Sequence, residues 1–233
     1  MDFDEPFPSA PVRYAFDNDD SDVENEVEPN SHPINVNLTC ALSQPITLLV
    51  GMQGPGSAYI EALNCSTQHI GDINDCPILQ ISEDVLCIPL KKKVERDQVQ
   101  AMAKSIVGLS KLKSIVILDS LAGADYISNT RNVNPPFLRV LQSSNTQILI
   151  GDQLEPPNMI QDLTAALISY CEIHDIPGYV LLSLQESYLG KHIVTIETVD
   201  AYVDGLKKID IARLGYDKSK VYIDEQPQHR LYL

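Results

Sequence analysis

The chain has 233 residues, 44% hydrophobic and 21% charged, the balance of a globular protein long enough for one domain with a sizeable core. Its net charge of −15 argues against general affinity for phosphate backbones or anionic lipid, both of which need clustered Lys and Arg, so nucleic acid is not expected as a partner. No stretch approaches the roughly 18–20 apolar residues that span a bilayer, and the acidic start Met1-Asp2-Phe3-Asp4-Glu5 is unlike a targeting peptide; no membrane partner is expected, and the chain should stay in the cytoplasm or nucleus.

Residues 1–33 carry ten acidic residues against Arg13 alone, a net of −9, and five prolines are interspersed. Such a segment buries too little apolar surface to offset the entropy of ordering and is expected to be a disordered acidic tail. From residue 34 the pattern changes. Ile46 to Val50, Val85 to Ile88, Ser114 to Leu118 and Tyr179 to Leu184 are nearly continuous apolar runs of strand length, as parallel strands covered on both faces tend to be. Gln147 to Ile150 is a shorter candidate. Between the second and third runs, Val99, Met102, Ala103, Ile106 and Val107 fall on one face of a helix, so strand, helix and strand imply a right-handed crossover. A second helix is predicted from near Asn158, after Pro156-Pro157, to before Pro177, with Ile160, Leu163, Leu167, Tyr170, Cys171 and His174 on one face. Ala165, Ala166, Ile168 and Ser169 on its other sides suggest cover by more than its own sheet. A third helix fits Thr195 as N-cap and Ile196, Val199, Val203 and Leu206 at helical spacing. The expected architecture is α/β, a single open and mostly parallel sheet flanked by helices, occupying 34–210, with 211–233 as C-terminal linker and tail and a candidate short strand at Val221-Tyr222-Ile223.

Signs of chemistry are sparse. Gly51-Met52-Gln53-Gly54-Pro55-Gly56 follows a predicted strand, as a phosphate-binding loop would, but the spacing is G-x-x-G-x-G, Pro55 lacks an amide and no G-K-[ST] follows; a plain strand-to-helix turn is the better reading. Asp119 ends an apolar run where open sheets place ligands, yet no partner carboxylate is identifiable. Ser57, His69, His174 and His192 form no recognisable triad, and His174 is expected as a core or interface histidine. Five cysteines without a C-x-x-C pair suggest neither disulfides nor zinc, and Cys171 is expected to pack rather than react. Lys91-Lys92-Lys93 reads as a solvated edge or loop. No catalytic residue, metal or cofactor is expected.

The chain ends in Leu231-Tyr232-Leu233, an order with a mechanism: an apolar side chain for a groove, a phenol that packs and hydrogen-bonds, and a carboxylate for a lysine pocket. Pro136-Phe137-Leu138-Arg139, Leu154-Glu155-Pro156-Pro157-Asn158-Met159-Ile160-Gln161-Asp162-Leu163, Ala165 to Cys171, Ile176-Pro177 and Val194 to Thr198 closely resemble the proteasome assembly chaperone 1 family over roughly the C-terminal half. The resemblance implies a non-enzymatic chaperone that forms a heterodimer with proteasome assembly chaperone 2 on the α-subunits of the proteasome core particle, promoting α-ring formation and preventing off-pathway dimerisation. It implies Leu231, Tyr232 and Leu233 as the HbYX docking residues, and a sandwich akin to nucleoside-phosphorylase sheets. The alternatives are a nucleotide- or nucleoside-binding α/β enzyme using the Gly51 to Gly56 turn, and an adaptor whose acidic tail recruits basic partners.

Overall fold

A computed structural model describes residues 33–39, 44–128, 136–188, 191–209, 211 and 214–221. The acidic segment before Pro33, Cys40, Tyr222-Ile223 and the docking residues Leu231, Tyr232 and Leu233 lie outside the described residues. In chain order the elements are β1 (Val36–Leu38), β2 (Ile46–Gly51), α1 (Pro55–Glu61), β3 (Gln68–Ile73), β4 (Cys76–Ser82), β5 (Val85–Pro89), α2 (Val99–Val107), β6 (Leu112–Ala122), β7 (Leu138–Gln142), α3 (Asp162–Ile173), β8 (Gly178–Gln185), the short pair β9 (Ser187–Tyr188) and β10 (Lys191–His192), and α4 (Ile196–Lys208).

Eight strands form one sheet in the order β1-β3-β4-β5-β2-β6-β8-β7. Its four central strands, β5-β2-β6-β8, are the four apolar runs and pair in parallel. The flanks correct the expectation of a mostly parallel sheet, because β1-β3, β3-β4, β4-β5 and β7-β8 are antiparallel. The reason is local. Asn74 (φ 47°) and Asp75 (φ 65°) join β3 to β4 in a two-residue turn, and such a connection returns the chain antiparallel, whereas a parallel pair needs a long crossover. The candidate strand at Gln147 to Ile150 is not one: Ile148 and Leu149 are 54% and 72% exposed, and Leu138–Gln142 takes that edge of the sheet instead.

Side chains along the central strands alternate between two cores, as period-two geometry dictates. Leu48, Val50, Ile115, Ile117, Val180 and Leu182 pack beneath α2 and α3. Leu49, Cys87, Val116, Leu118 and Leu181 pack beneath α1 and α4. α2 buries the five predicted residues, Val99, Met102, Ala103, Ile106 and Val107. α4 begins at Thr195 as predicted, through a capping box in which the Thr195 side chain accepts from the Thr198 amide and the Thr198 side chain from the Thr195 amide. α3 begins at Asp162 rather than near Asn158, because the Asn158 side chain is committed elsewhere: its amide donates to Glu155 O (2.9 Å) and Ile127 O (2.8 Å), and its carbonyl accepts from Ile127 N (2.8 Å). Part of the expected extra cover on α3 comes from α2. His174 is not the core histidine that was one of its two expected roles: it caps the C-terminal end of α3, exposed, with its ring against Tyr170 at 4.0 Å.

Candidate functional site: a cavity at the strand ends and an anchored C-terminal segment

The chain leaves β2 towards β5 on one side and leaves β6 towards β7 and β8 on the other. Adjacent strands whose exits diverge leave a crevice at their carboxyl ends, the position where open α/β sheets hold ligands. A cavity of about 490 Å3 lies there, lined by Met52 and Gln53 after β2, Leu90 to Val94 after β5 except Lys91, the end of β6 from Asp119, and the start of α3.

Asp119 lies within β6, which continues to Ala122, rather than beyond its end as the sequence suggested. Its Oδ2 accepts the Thr164 hydroxyl (2.5 Å) and its Oδ1 the Ser120 amide (2.8 Å). Burial raises its carboxyl pKa above the usual range, against the lowering influence of those two donors. Lys93 is paired with Asp162 at 2.7 Å. Behind the wall, Tyr126, which lines the cavity, donates to Glu155 Oε1 (2.5 Å), and Arg139 Nε donates to Glu155 Oε2 (2.8 Å), with the guanidinium 4.1 Å from the Phe137 ring centroid. The Arg139 hydrogen bond, reinforced by Tyr126, pulls the Glu155 carboxyl down to about 2.

Of the residues singled out in the sequence, Met52 and Gln53 of the glycine turn, Asp119, Lys92, Lys93 and His192 meet at this cavity. The glycines themselves are explained by packing: a Cβ on Gly51 would lie 2.4 Å from Gly56 O, and one on Gly56 would lie 2.1 Å from Leu118 O. Three amides in and just after the turn are already used: Met52 N bonds Leu118 O at 2.8 Å, Ser57 N bonds Met52 O at 2.8 Å and Ala58 N bonds Gly54 O at 3.1 Å. Those three donors are lost to a phosphate, and Pro55 offers none. The Ser57 hydroxyl donates to Gly54 O (3.1 Å), and exposed His69 faces Asp72 (3.0 Å). Cys171 is buried and its thiol is pushed up to about 12, mainly by desolvation. Lys91 pairs with Glu61 at 2.7 Å, as a solvated edge would allow. Thr164 went unnoticed in sequence, and Asp162 and Met159 figured only in the family resemblance, not as site residues; the Asp162 carboxylate in the first turn of α3 was the one available signal. Among the described residues no group of three or more His, Cys, Asp or Glu is arranged to hold a metal ion, and no helix is long and apolar enough to cross a membrane.

A second feature concerns the approach to the C-terminus. Beyond α4 the chain returns across α1: Tyr59 OH donates to Leu214 O, Asn64 N to Gly215 O (2.9 Å) and Asp217 N to Ala62 O (2.8 Å). The Tyr216 ring stacks on Tyr59 at 5.3 Å, and its hydroxyl and Lys218 Nζ each reach Asp200 at 2.7 Å. Burial of Asp200 is outweighed by these two partners, which hold its carboxyl below the usual range. Ile211, Leu214 and Val221 are buried, so the chain stays fixed to the domain as far as Val221.

Comparison with known proteins agrees with this layout. The PAC1 family model, described as Proteasome assembly chaperone 4, matches residues 75–220, from the β3-β4 turn to the anchored segment. Proteasome assembly chaperone 1 of Dictyostelium discoideum is 26% identical over 192 residues, 71% of this chain and 68% of that protein. The human protein of that name is 30% identical over 109 residues, 45% of this chain and 38% of that protein, and the mouse protein 29% over 114, 46% and 39%. The match thus spans under two fifths of the two mammalian relatives. Pyrococcus furiosus PbaA, an archaeal homolog of proteasome-assembly chaperone, has a TM-score of 0.59 at 15% identity over 78% of this chain and 88% of its own. Pyrococcus furiosus PbaB, an archaeal proteasome activator, has a TM-score of 0.57 at 12% identity over 81% and 93%. At such identities the likeness is one of fold, but the family match extends over well more than half the sequence: this chain belongs to the PAC1 family of proteasome assembly chaperones.

Proposed function

We propose that the chain is a non-enzymatic proteasome assembly chaperone, cytoplasmic and nuclear, that works as a heterodimer with proteasome assembly chaperone 2. The family match over residues 75–220 carries this reading. The pair binds the α-ring of the core particle, promotes its assembly and prevents off-pathway dimerisation of rings. Docking runs through Leu231, Tyr232 and Leu233, with residues 1–33 as an acidic tail that neither folding nor pairing requires. Support for a docking tail comes from the anchoring of the segment up to Val221, after which twelve residues follow, a length that spans at most about 40 Å. A tail that starts from a fixed point loses less freedom on binding than one that starts from a loose end.

The test is core-particle binding measured beside partner co-purification. Tyr232→Phe removes one ordinary hydrogen bond, about 1 kcal/mol, and Tyr232→Ala removes an anchor residue, about 2 kcal/mol or more. One residue appended after Leu233 shifts the carboxylate away from a pocket cation while every side chain remains. All three variants should weaken ring binding and keep the heterodimer. Native-strength binding of assembly intermediates by the extended chain would refute the docking role.

A further inference from the structure

We propose that the cavity at the carboxyl ends of β2, β5 and β6 is a binding site for a small organic cation, an apolar body with an ammonium or amidinium head resting against Asp119. Three observations converge on it. The first is position and size: about 490 Å3 at the point where the exits of β2 and β6 diverge, within the range of small-molecule sites. The second is apolar surface left in water at its walls. Met159 is 74% exposed and Ile127 56%, while Met52, Leu90 and Leu163 are buried against the interior, so an apolar body gains contacts on both sides.

The third is charge. Lys93 and Asp162 neutralise each other at 2.7 Å, which leaves Asp119 and Asp125 against Lys92 and His192. Lys92, His192 and Asp125 are exposed, where solvent screens them, whereas Asp119 is partly buried and keeps its field. Thr164 and Ser120 satisfy one lone pair on each Asp119 oxygen, and a carboxylate has about four acceptor sites, so acceptors remain for a ligand. Burial already disfavours the charge on Asp119, and Lys93 offsets this least of all the influences on it. A cationic head in the cavity supplies the missing counter-charge; an anion meets the opposite field.

The four methionines make the test direct. In methyl-labelled methionine NMR of the full chain, Met52 and Met159 line the cavity, while Met102 lies 1% exposed in the α2 core and serves as a control. Benzylamine is the cationic probe and benzoate the anionic one of similar shape. Benzylamine should shift Met52 and Met159 saturably with a Kd below about 10 mM, leave Met102 unmoved, and lose at least tenfold in affinity in Asp119→Asn. Met159→Lys, at an exposed position that the fold does not need, should weaken benzylamine severalfold by placing a like charge at the mouth. Equal binding of benzoate and benzylamine, parental affinity in either variant, or no saturable shift with benzylamine would overturn the proposal. If Asp119→Asn fails to fold, the benzoate comparison and Met159→Lys decide it.

Discussion

Replacing Tyr202 by Phe removes one oxygen atom from a place that water does not reach. Tyr202 and Ser183 are both 0% exposed. The phenol donates to Asp119 O at 2.7 Å, so at the 2.8 Å contact with Ser183 Oγ it is the acceptor. Tyr202→Phe therefore loses two hydrogen bonds: the one to Asp119 O, about 1 kcal/mol, and the one from Ser183, whose hydroxyl is stranded without its acceptor, about 1–2 kcal/mol more. The expected cost is about 2–3 kcal/mol, or roughly 5–10 °C in melting temperature for a domain of this size. Ser183→Ala should cost about 1 kcal/mol, because Tyr202 keeps its bond to Asp119 O. The double variant should then cost less than the sum of the singles by about 1 kcal/mol, since no donor is left stranded. Urea unfolding followed by circular dichroism measures all three. A Tyr202→Phe cost below about 0.5 kcal/mol, or an additive cycle, would refute the view that this buried network is fully satisfied.

Three further outcomes are expected. Thr195→Ala removes the capping box of α4 and should cost about 1 kcal/mol in urea unfolding, with Thr195→Ser close to neutral. Glu155 has its pKa lowered from 4.5 to about 2 by Arg139 and Tyr126, so its stabilisation is full above about pH 4.5 and is lost as pH falls towards 2; the stability deficit of Glu155→Gln should be present at pH 6 and vanish by pH 2. Gly56→Ala forces a Cβ to within 2.1 Å of a backbone oxygen of β6 and should cost about 3 kcal/mol or abolish soluble expression, read by melting curves beside the parent.

The central strands and two of the helices were legible because each is buried in a recognisable pattern: β2 is buried at every position and apolar but for Thr47, and α2 and α4 show a clear buried stripe. The β3-β4 hairpin was not, since β3 begins with exposed Gln68 and His69 and β4 is mostly half-buried, which blurs the alternation. Asn74-Asp75 was its only marker, two residues that tolerate the left-handed backbone a tight hairpin needs. The end of α3 misled because His174, a helical neighbour of the half-buried Tyr170, lies against its ring from an exposed position instead of entering the core. The cavity was half visible: Asp119 stood out at the end of an apolar run, but its partner Thr164 is 45 positions away and only the fold brings them together. The anchoring of residues 214–221 follows no period at all, being built from single contacts with α1, the residues just after it and α4.

The edges of the sheet bear on how the molecule chooses its company. At β7, the Val140 amide and carbonyl are taken by Asp152 O and Leu154 N, both at 2.9 Å, so the backbone of residues 152–154 already occupies the place where a foreign strand would add. Among the described residues, the opposite edge is the three-residue strand β1, which pairs with Gly71 to Ile73 of β3. Strand addition is blind to sequence, because it joins main chain to main chain, and an open edge would accept copies of this chain and its relatives alike. With that route narrowed, association is left to side chains on helices and loops, where a single substitution can favour one partner and reject another. A blunted β7 edge therefore keeps main-chain pairing from deciding which chain this one meets.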